Sequence, residues 1–324
     1  MMAQLRLLFV CLALLALPGC SFNRTAVSAA GGLLGTAALE VETESNWGFI
    51  QESLPGTLKL LEGLLHASPE NEDLLVTLTK GWTAMGFGVY ETLYLADQVA
   101  DTGKTGWKSQ TDYAYSKALG YGFRWLAAYD IGTKNLIRQA RAGTLGAWLD
   151  GRLDGDDDQH VTAVAYTGLS WMFLINLNRD KPMLTSQLFV VEGLMNWACA
   201  KRPDFENGIC QIFRGAWETT RPKMLGGNPA KGKRLFKAAI KQWPDNYMVR
   251  MFYLQFSVIP ALDEKEYKNQ KAFFIKAMRR EKADLYVPGQ SPVMTTGKKP
   301  AGQFFNAIAL KRMRILIRYE KELF

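Results

Sequence analysis

The fold class of this chain follows from the stretch Gly232-Lys233-Arg234-Leu235-Phe236-Lys237-Ala238-Ala239-Ile240-Lys241-Gln242-Trp243-Pro244-Asp245-Asn246. An amphipathic helix ends before Pro244, because proline has no backbone N–H with which to continue it, and Asp245-Asn246 opens a new helix with a polar first turn. The same pattern recurs at Ala67-Ser68-Pro69-Glu70-Asn71 and at Lys201-Arg202-Pro203-Asp204. Few segments alternate with period two, so the chain is predicted to consist of helical hairpins.

The spacing inside this stretch resembles a tetratricopeptide (TPR) repeat. Gly232, Phe236 and Ala239 occupy the positions where that repeat places small and aromatic residues. The period is irregular, because 41 residues separate Pro203 from Pro244, compared with about 34 in the ideal repeat. Since isolated hairpins cannot bury their apolar faces, we predict that residues 46–324 form one all-α domain, a degenerate TPR-like solenoid of stacked helical hairpins.

The hydrophobic pattern also predicts the order of the helices along this domain. Residues 135–149 and 182–201 are each predicted as one helix, and residues 286–302, which are rich in proline and glycine, are predicted as a loop. Gly120 and Gly122 indicate close helix packing rather than a phosphate-binding loop. A last helix is predicted from Gln303 to about Lys321.

The first 19 residues have the features of a bacterial lipoprotein signal peptide. Arg6 precedes the apolar run Leu7–Leu17, which is too short to span a bilayer. Leu17-Pro18-Gly19-Cys20 resembles a lipobox, so Cys20 is predicted to carry the lipid that holds the chain on a membrane. The alternative is an ordinary signal peptide that is cut nearby. Because Ser21 follows the cysteine where aspartate would signal inner-membrane retention, we expect an outer-membrane anchor facing the periplasm.

Residues 20–45 are mostly small and polar and are predicted to form a flexible tether.

The chain carries a formal net charge of +8, and we interpret this excess as moderate and spread along the sequence. It suggests acidic partners and does not by itself indicate nucleic acid. The sequence contains no recognisable nucleic-acid-binding motif, so no nucleic-acid partner is predicted.

Two cysteines, Cys199 and Cys210, remain after processing and lipidation. They flank the predicted turn around Pro203, and the periplasm permits disulfides. A disulfide that closes this turn and a pair of buried free thiols both fit the sequence.

Sites for catalysis, metals or cofactors are not predicted. His66 and His160 are the only histidines, and no zinc-ligand spacing is present. The acidic segment from Asp150 to Asp158 departs from the EF-hand pattern, because Arg152 and Val161 occupy two ligand positions. We interpret it as a solvated loop that caps the next helix. No P-loop and no nucleophile elbow is present.

Aromatic residues provide the candidates for a ligand cleft. The interior packing of helices is the alternative explanation for them, and it is the more common one. The candidates for a cleft are Trp82, Tyr90, Trp125, Tyr166 and Trp171, within a larger set that includes Tyr94 and Tyr121.

The last predicted helix is basic. Such a helix can lie on a membrane surface, but a solvated face whose cations favour the helix C-terminus is the more common arrangement. Its cations are Lys311, Arg312, Arg314, Arg318 and Lys321.

A resemblance to a known family carries the functional prediction. The run Gly226-Gly227-Asn228-Pro229-Ala230-Lys231-Gly232-Lys233-Arg234-Leu235-Phe236-Lys237-Ala238-Ala239 resembles a stretch typical of the T component of TRAP (tripartite ATP-independent periplasmic) transporters. The segments Pro55–Lys59, Pro69–Leu75, Tyr166–Trp171 and Phe305–Phe324 resemble its other helices in the same order. Tyr166 stands where the family often has tryptophan.

The resemblance implies an α-helical periplasmic lipoprotein without catalytic residues or a cofactor. It also implies a homotrimer with a central pore and a partnership with the periplasmic solute-binding protein of a TRAP transporter. The predicted function is therefore to help bind a solute or hand it over to that subunit. The alternative is a TPR scaffold lipoprotein that binds other proteins during assembly of the cell envelope.

Overall fold

A computed structural model of the protein describes residues 43–100, 106–284 and 302–324. The predicted signal peptide (1–19), Cys20, residues 21–42 of the predicted tether and residues 286–301 of the predicted loop lie outside these ranges. Every regular element in the described residues is helical. The all-α prediction is therefore confirmed, whereas the stacking of the hairpins into a TPR-like solenoid stays a prediction.

The described residues form α-helices and two π-helical segments. In chain order they are α1 (Trp47–Ala67), α2 (Glu72–Ala84), a first π-helical segment (Met85–Tyr90), α3 (Glu91–Val99), α4 (Trp107–Ala128), α5 (Thr133–Arg141), α6 (Leu145–Asp150), α7 (Asp158–Leu177), α8 (Pro182–Thr185), α9 (Leu188–Lys201), α10 (Ile209–Thr220), α11 (Pro229–Gln242), α12 (Tyr247–Tyr253), a second π-helical segment (Leu254–Val258), α13 (Glu264–Asp284) and α14 (Gln303–Arg318). Short 3₁₀ turns occur at Phe205–Asn207, Lys223–Leu225 and Glu320–Glu322.

Asparagine caps explain where several helices begin. The side chains of Asn71, Asn228 and Asn246 each accept a hydrogen bond from a backbone N–H in the first turn of α2, α11 or α12. These contacts satisfy donors that the helix itself leaves free. Pro69 and Pro244 lie in the turns just before two of these caps, so these two predicted hairpin turns follow from local chemistry.

Two of the predicted helices are broken in the structure. The helix expected over 135–149 is α5 and α6, because Gly143 adopts φ 71° and ends the first of them. Its N–H donates to the Ala140 carbonyl, as at many helix C-termini. The helix expected over 182–201 is likewise two helices, α8 and α9, separated by Ser186 and Gln187.

Helices α2, α4 and α7 pack against one another and form the centre of the N-terminal part, with α9 on α7 and α1 on α2. Helix α4 approaches α7 closely at Gly122, where a Cβ atom would lie 2.3 Å from Thr167 Oγ1. The interpretation of Gly122 as a close-packing residue therefore agrees with the structure. Gly120 has open space around it instead.

The stretch that predicted the fold forms one side of the α10–α11 hairpin. Phe236 and Ala239 are fully buried, and a Cβ atom on Gly232 would lie 2.8 Å from the Gly215 carbonyl oxygen. Helix α11 packs along α10 and then against α12. Its small and aromatic positions thus allow the two helices of the hairpin to approach closely.

Helix α14 connects the C-terminal helices with the N-terminal ones. It contacts α12 and α13, and it also contacts α1, α3 and the first π-helical segment. Its residue Arg312 is fully buried. The expectation of a solvated basic face is therefore wrong for Arg312, which is turned inward, whereas Arg314 and Arg318 of the same helix are exposed.

The buried guanidinium of Arg312 uses all three of its nitrogens. Nε donates to Thr92 Oγ1 at 3.0 Å, Nη1 to Gln255 Oε1 at 3.1 Å, and Nη2 to the Phe87 carbonyl at 2.7 Å and to Glu91 Oε1 at 3.2 Å. Phe87 and Gln255 belong to the two π-helical segments. Since π-helical turns disturb the regular backbone pattern, they place acceptors around a cation that comes from a third helix.

Tyr115 of α4 completes this buried cluster by donating its hydroxyl proton to Glu91. Burial, and then the neighbouring Glu91 carboxylate, raise the pKa of Tyr115 well above its usual value. The hydroxyl therefore stays protonated at neutral pH and donates to the Glu91 carboxylate.

We predict that Arg312→Met destabilises the protein by about 3–5 kcal/mol, because the buried Glu91 carboxylate loses its partner. Arg318→Met, on the exposed side of the same helix, is expected to change stability by less than about 0.5 kcal/mol. Urea unfolding monitored by circular dichroism measures both variants. Equal effects of the two substitutions would contradict the assigned role of Arg312.

Candidate functional site

The five aromatic residues predicted to line a cleft lie in different surroundings. Trp125 is fully buried, with its ring 4.6 Å from that of Tyr129, and Trp171 packs edge-on against Phe123 at 5.1 Å. These two contribute to interior packing, which was the alternative explanation. Tyr90 is partly buried and stacks on Trp107 at 6.0 Å.

Tyr166 belongs to a polar contact between α7 and α2. Its hydroxyl donates to Glu206 Oε1 at 2.9 Å, and Lys80 Nζ lies 2.9 Å from the same oxygen and 5.3 Å from the Tyr166 ring centre. Lys80 and Trp82 are two residues apart on α2, so they point to different sides of that helix. The predicted cleft is thus not one cavity shared by all five residues in the structure.

Trp82 is the most buried member of a surface cluster formed by α1, α2 and α4. We call it the Trp82 cluster (Glu62, Trp82, Tyr113, Lys117 and Tyr121). Trp82 Nε1 donates to Glu62 Oε1 at 3.1 Å, and the Tyr113 ring meets the indole edge-on at 5.6 Å. Lys117 Nζ lies 5.4 Å from the indole ring centre. The indole thus forms the floor between α1 and α4, with its polar end satisfied and one face against a cation.

Glu62 is the charged centre of the Trp82 cluster. Its carboxylate accepts from Lys117 at 2.6 Å, Lys59 at 2.7 Å and the Tyr121 hydroxyl at 2.8 Å, besides Trp82. Partial burial acts to raise the pKa of Glu62, but the hydrogen bonds from Lys117, Lys59 and Tyr121 outweigh it and hold the pKa at about 2. The carboxylate therefore stays ionised and fixes the position of Lys117.

An open depression of about 350 Å³ adjoins the Trp82 cluster along α4. Its lining residues are spaced four apart in two rows of the helix, so that they share one face. The Gly120 position leaves open space there, because nothing lies within 4 Å of a Cβ atom built on it. The lining residues of this α4 depression are Tyr113, Ser116, Lys117, Gly120, Tyr121 and Arg124.

The α4 depression combines exposed aromatic surface with held cations. Tyr113 is 53% exposed, and the Arg124 guanidinium lies 5.7 Å from the Tyr121 ring while donating to the Pro69 carbonyl at 2.8 Å. Tyrosine and arginine are enriched at the energetic centres of protein interfaces. The arrangement suits recognition of an anionic or aromatic group of a protein or a small molecule, and it offers no nucleophile paired with a base.

The sequence pattern singles out Trp82, and Tyr121 within the wider aromatic set, but it did not point to Glu62, Lys117 or Arg124. The i, i+4 spacing of Tyr113, Lys117 and Tyr121 was the available signal for one shared face of α4. For Glu62 the only local signal was the i, i+3 spacing to Lys59 on α1, because its other partners lie on α2 and α4.

Cys199, near the end of α9, and Cys210, in the first turn of α10, form a disulfide with their Cα atoms 5.6 Å apart. It closes the turn that contains Pro203. Of the two alternatives that the sequence left open, the structure thus has the disulfide rather than two free thiols.

Two other kinds of site are absent from the described residues. Across 43–100, 106–284 and 302–324, no three histidine, cysteine, aspartate or glutamate side chains are grouped as a metal site would need. No helix within those ranges is both long and apolar enough to cross a membrane.

Comparison with known proteins gives one family. The model of the family described as TRAP transporter T-component matches residues 43–280. This range covers 238 of the 324 residues and includes the Trp82 cluster, the α4 depression and the disulfide. No curated protein matches the chain.

We predict that Glu62→Gln destabilises the protein by about 1–2 kcal/mol at pH 7, because Lys59 and Lys117 lose the carboxylate with which they form ion pairs. The pKa of Glu62 is about 2 in the folded protein and lies near 4.3 in an unfolded chain. This stabilisation is therefore complete above about pH 5 and is lost as the pH falls toward about 2. Unfolding by urea at a series of pH values measures the difference between the two proteins.

The matched control is Glu52→Gln, an exposed position on the same helix, which is expected to change stability by less than about 0.5 kcal/mol at every pH. A difference between Glu62→Gln and the unaltered protein that stays constant from about pH 7 to about pH 2 would refute the assigned pKa.

Proposed function

Because the chain belongs to the TRAP transporter T-component family, we propose that it is a non-enzymatic accessory protein that helps to bind a solute or hand it over to the solute-binding subunit of a TRAP-type transporter. The family match carries this proposal, since membership connects the chain with a TRAP transporter. The all-α fold and the lack of a nucleophile–base pair in the Trp82 cluster and α4 depression are in keeping with an accessory role.

We propose that the α4 depression is the surface that meets the solute-binding subunit. Tyr113 gives exposed aromatic area, while Lys117 and Arg124 are held in place by Glu62 and the Pro69 carbonyl. Side chains that are already fixed lose little conformational entropy on binding. Cations beside an aromatic ring favour a partner surface that carries carboxylates.

The location and assembly of the protein belong to the same proposal. Cys20 would carry the lipid, and the tether would let the folded part reach a partner in the periplasm from the outer membrane. A homotrimer and a TPR-like stacking of the hairpins are what the resemblance to the family implies. These statements rest on the sequence and on the resemblance to the family. Cys20 itself lies outside the described residues.

We predict that the chain co-purifies with a TRAP solute-binding protein from cells that express one. The double variant Tyr113→Ala/Arg124→Ala is expected to weaken that association about tenfold, because alanine at the centre of an interface often costs more than about 1 kcal/mol. Isothermal titration calorimetry with the purified solute-binding subunit measures the change in affinity.

The control is Phe49→Ala/Lys134→Ala, which removes an exposed aromatic ring and an exposed cation on other helices. Equal weakening by both double variants would argue against the α4 depression as the contact surface. Repeated recovery of envelope-assembly proteins without any solute-binding protein would favour the scaffold alternative over the transport role.

A further inference from the structure

The positive charge of the chain is concentrated in its last third, contrary to the expectation that it is spread along the sequence. Residues 221–324 contain 22 lysines and arginines and 8 aspartates and glutamates, a net charge of +14. Residues 43–220 contain 15 and 21, a net charge of −6. An asymmetry of this size indicates that the C-terminal part faces an anionic surface or partner.

Three segments of the basic part lie at one end of the molecule, which we call the loop end (residues 221–228, 259–263 and 319–324). Helices α11 and α13 both begin there, and side chains near their N-termini meet, since Lys233 Nζ lies 2.8 Å from a carboxylate oxygen of Asp263 and Lys237 Nζ lies 4.0 Å from one of Glu266. The Phe324 ring packs 5.0 Å from that of Tyr267, in the first turn of α13. The loop 259–263 therefore lies beside the N-terminal part of α11, into which residues 221–228 lead, and the last residues of the chain lie against the start of α13.

Each segment of the loop end exposes a large apolar side chain. Met224 is 89% exposed, Leu262 is 67% exposed and Phe324 is 38% exposed. Leu262 adopts φ 52°, a strained value for a branched side chain, in a turn closed by a hydrogen bond from Asp263 N–H to the Val258 carbonyl. The turn therefore holds this leucine outward in water.

Exposed cations stand beside these apolar tips. Lys223 precedes Met224 in the same loop, Arg234 is exposed in the second turn of α11, and Lys265 is exposed in the first turn of α13 beyond Leu262. Their neighbours Lys233, Lys237, Lys268 and Lys271 are paired with carboxylates.

No carboxylate of the described residues pairs with Lys223, Arg234 or Lys265, which leaves their charges available to a ligand outside the chain. Apolar tips beside uncompensated lysine and arginine are typical of surfaces that enter the headgroup region of an anionic bilayer.

We propose that the loop end docks on the surface of an anionic phospholipid bilayer, with Met224 and Leu262 entering the interface and the neighbouring cations meeting lipid phosphates. The side chains project outward from loops rather than lining a pocket, so they suit a soft, deformable surface better than the shaped surface of an acidic protein. This proposal does not depend on the α4 depression or on the transport role.

The first experiment measures co-flotation of the full chain with vesicles of phosphatidylcholine alone or with added phosphatidylglycerol. We expect binding to increase with the anionic lipid and to decrease with salt. Lys223→Gln/Met224→Ser is expected to lower the anionic component of binding about tenfold. The matched control is Lys181→Gln/Met183→Ser, which changes a lysine and an 80% exposed methionine in the acidic part and is expected to leave binding unchanged.

The second experiment reports directly on contact between the loop end and the bilayer, and it does so without a lipid on Cys20. An environment-sensitive fluorophore is attached at Met224→Cys or at Met183→Cys in a chain that also carries Cys11→Ser and Cys20→Ser. We expect a blue shift on anionic vesicles for position 224 and none for position 183. A label at position 224 that stays in water on these vesicles overturns the proposal. A blue shift that appears only when an acidic solute-binding protein is added would also overturn the proposal. That result would assign the loop end to a protein partner.

Discussion

The buried ion pair between Arg312 and Glu91 is the interaction on which the arrangement of the molecule depends. It joins residues 221 positions apart, with Nη2 of Arg312 lying 3.2 Å from the Glu91 carboxylate. Two charges removed from water destabilise a fold unless their geometry is good and their remaining donors are satisfied. Here the Phe87 carbonyl, Thr92 and Gln255 satisfy the donors of Arg312, so the observed register of the final helix is the one that satisfies this buried charge.

The same ion pair also influences the candidate site, because Trp82 and Glu91 lie on one continuous helical path. Helix α2 passes through the first π-helical segment directly into α3. Helix α14 therefore packs on the C-terminal half of this continuous helix, whose N-terminal half carries Trp82 between α1 and α4. The stacking of Phe87 between Phe173 and Phe252, at 5.1 and 5.3 Å, adds an apolar contact that links α7 and α12 to the same segment.

The helices that could be predicted from the sequence are those whose ends depend on nearby residues. Features that depend on contacts between residues far apart in the sequence could not be predicted. Proline turns and asparagine caps act within a few residues, so the hairpins around Pro69 and Pro244 were foreseeable. The pattern around Arg312 predicts a surface residue, because positions 311 and 314 are also basic and only packing shows which of them is buried. The low pKa of Glu62 was not foreseeable either, since two of the three groups that lower it, Lys117 and Tyr121, come from α4, far along the chain.

The two surfaces assigned to this chain differ in charge and in position along the sequence. The α4 depression belongs to the part with a net charge of −6, and the loop end belongs to the part with +14. An anionic bilayer attracts the second part and repels the first, because both forces depend on the sign of the local charge. The protein would thus be oriented on such a surface by its own charge distribution. Since no residue contributes to both surfaces, substitutions in one can be interpreted without disturbing the other.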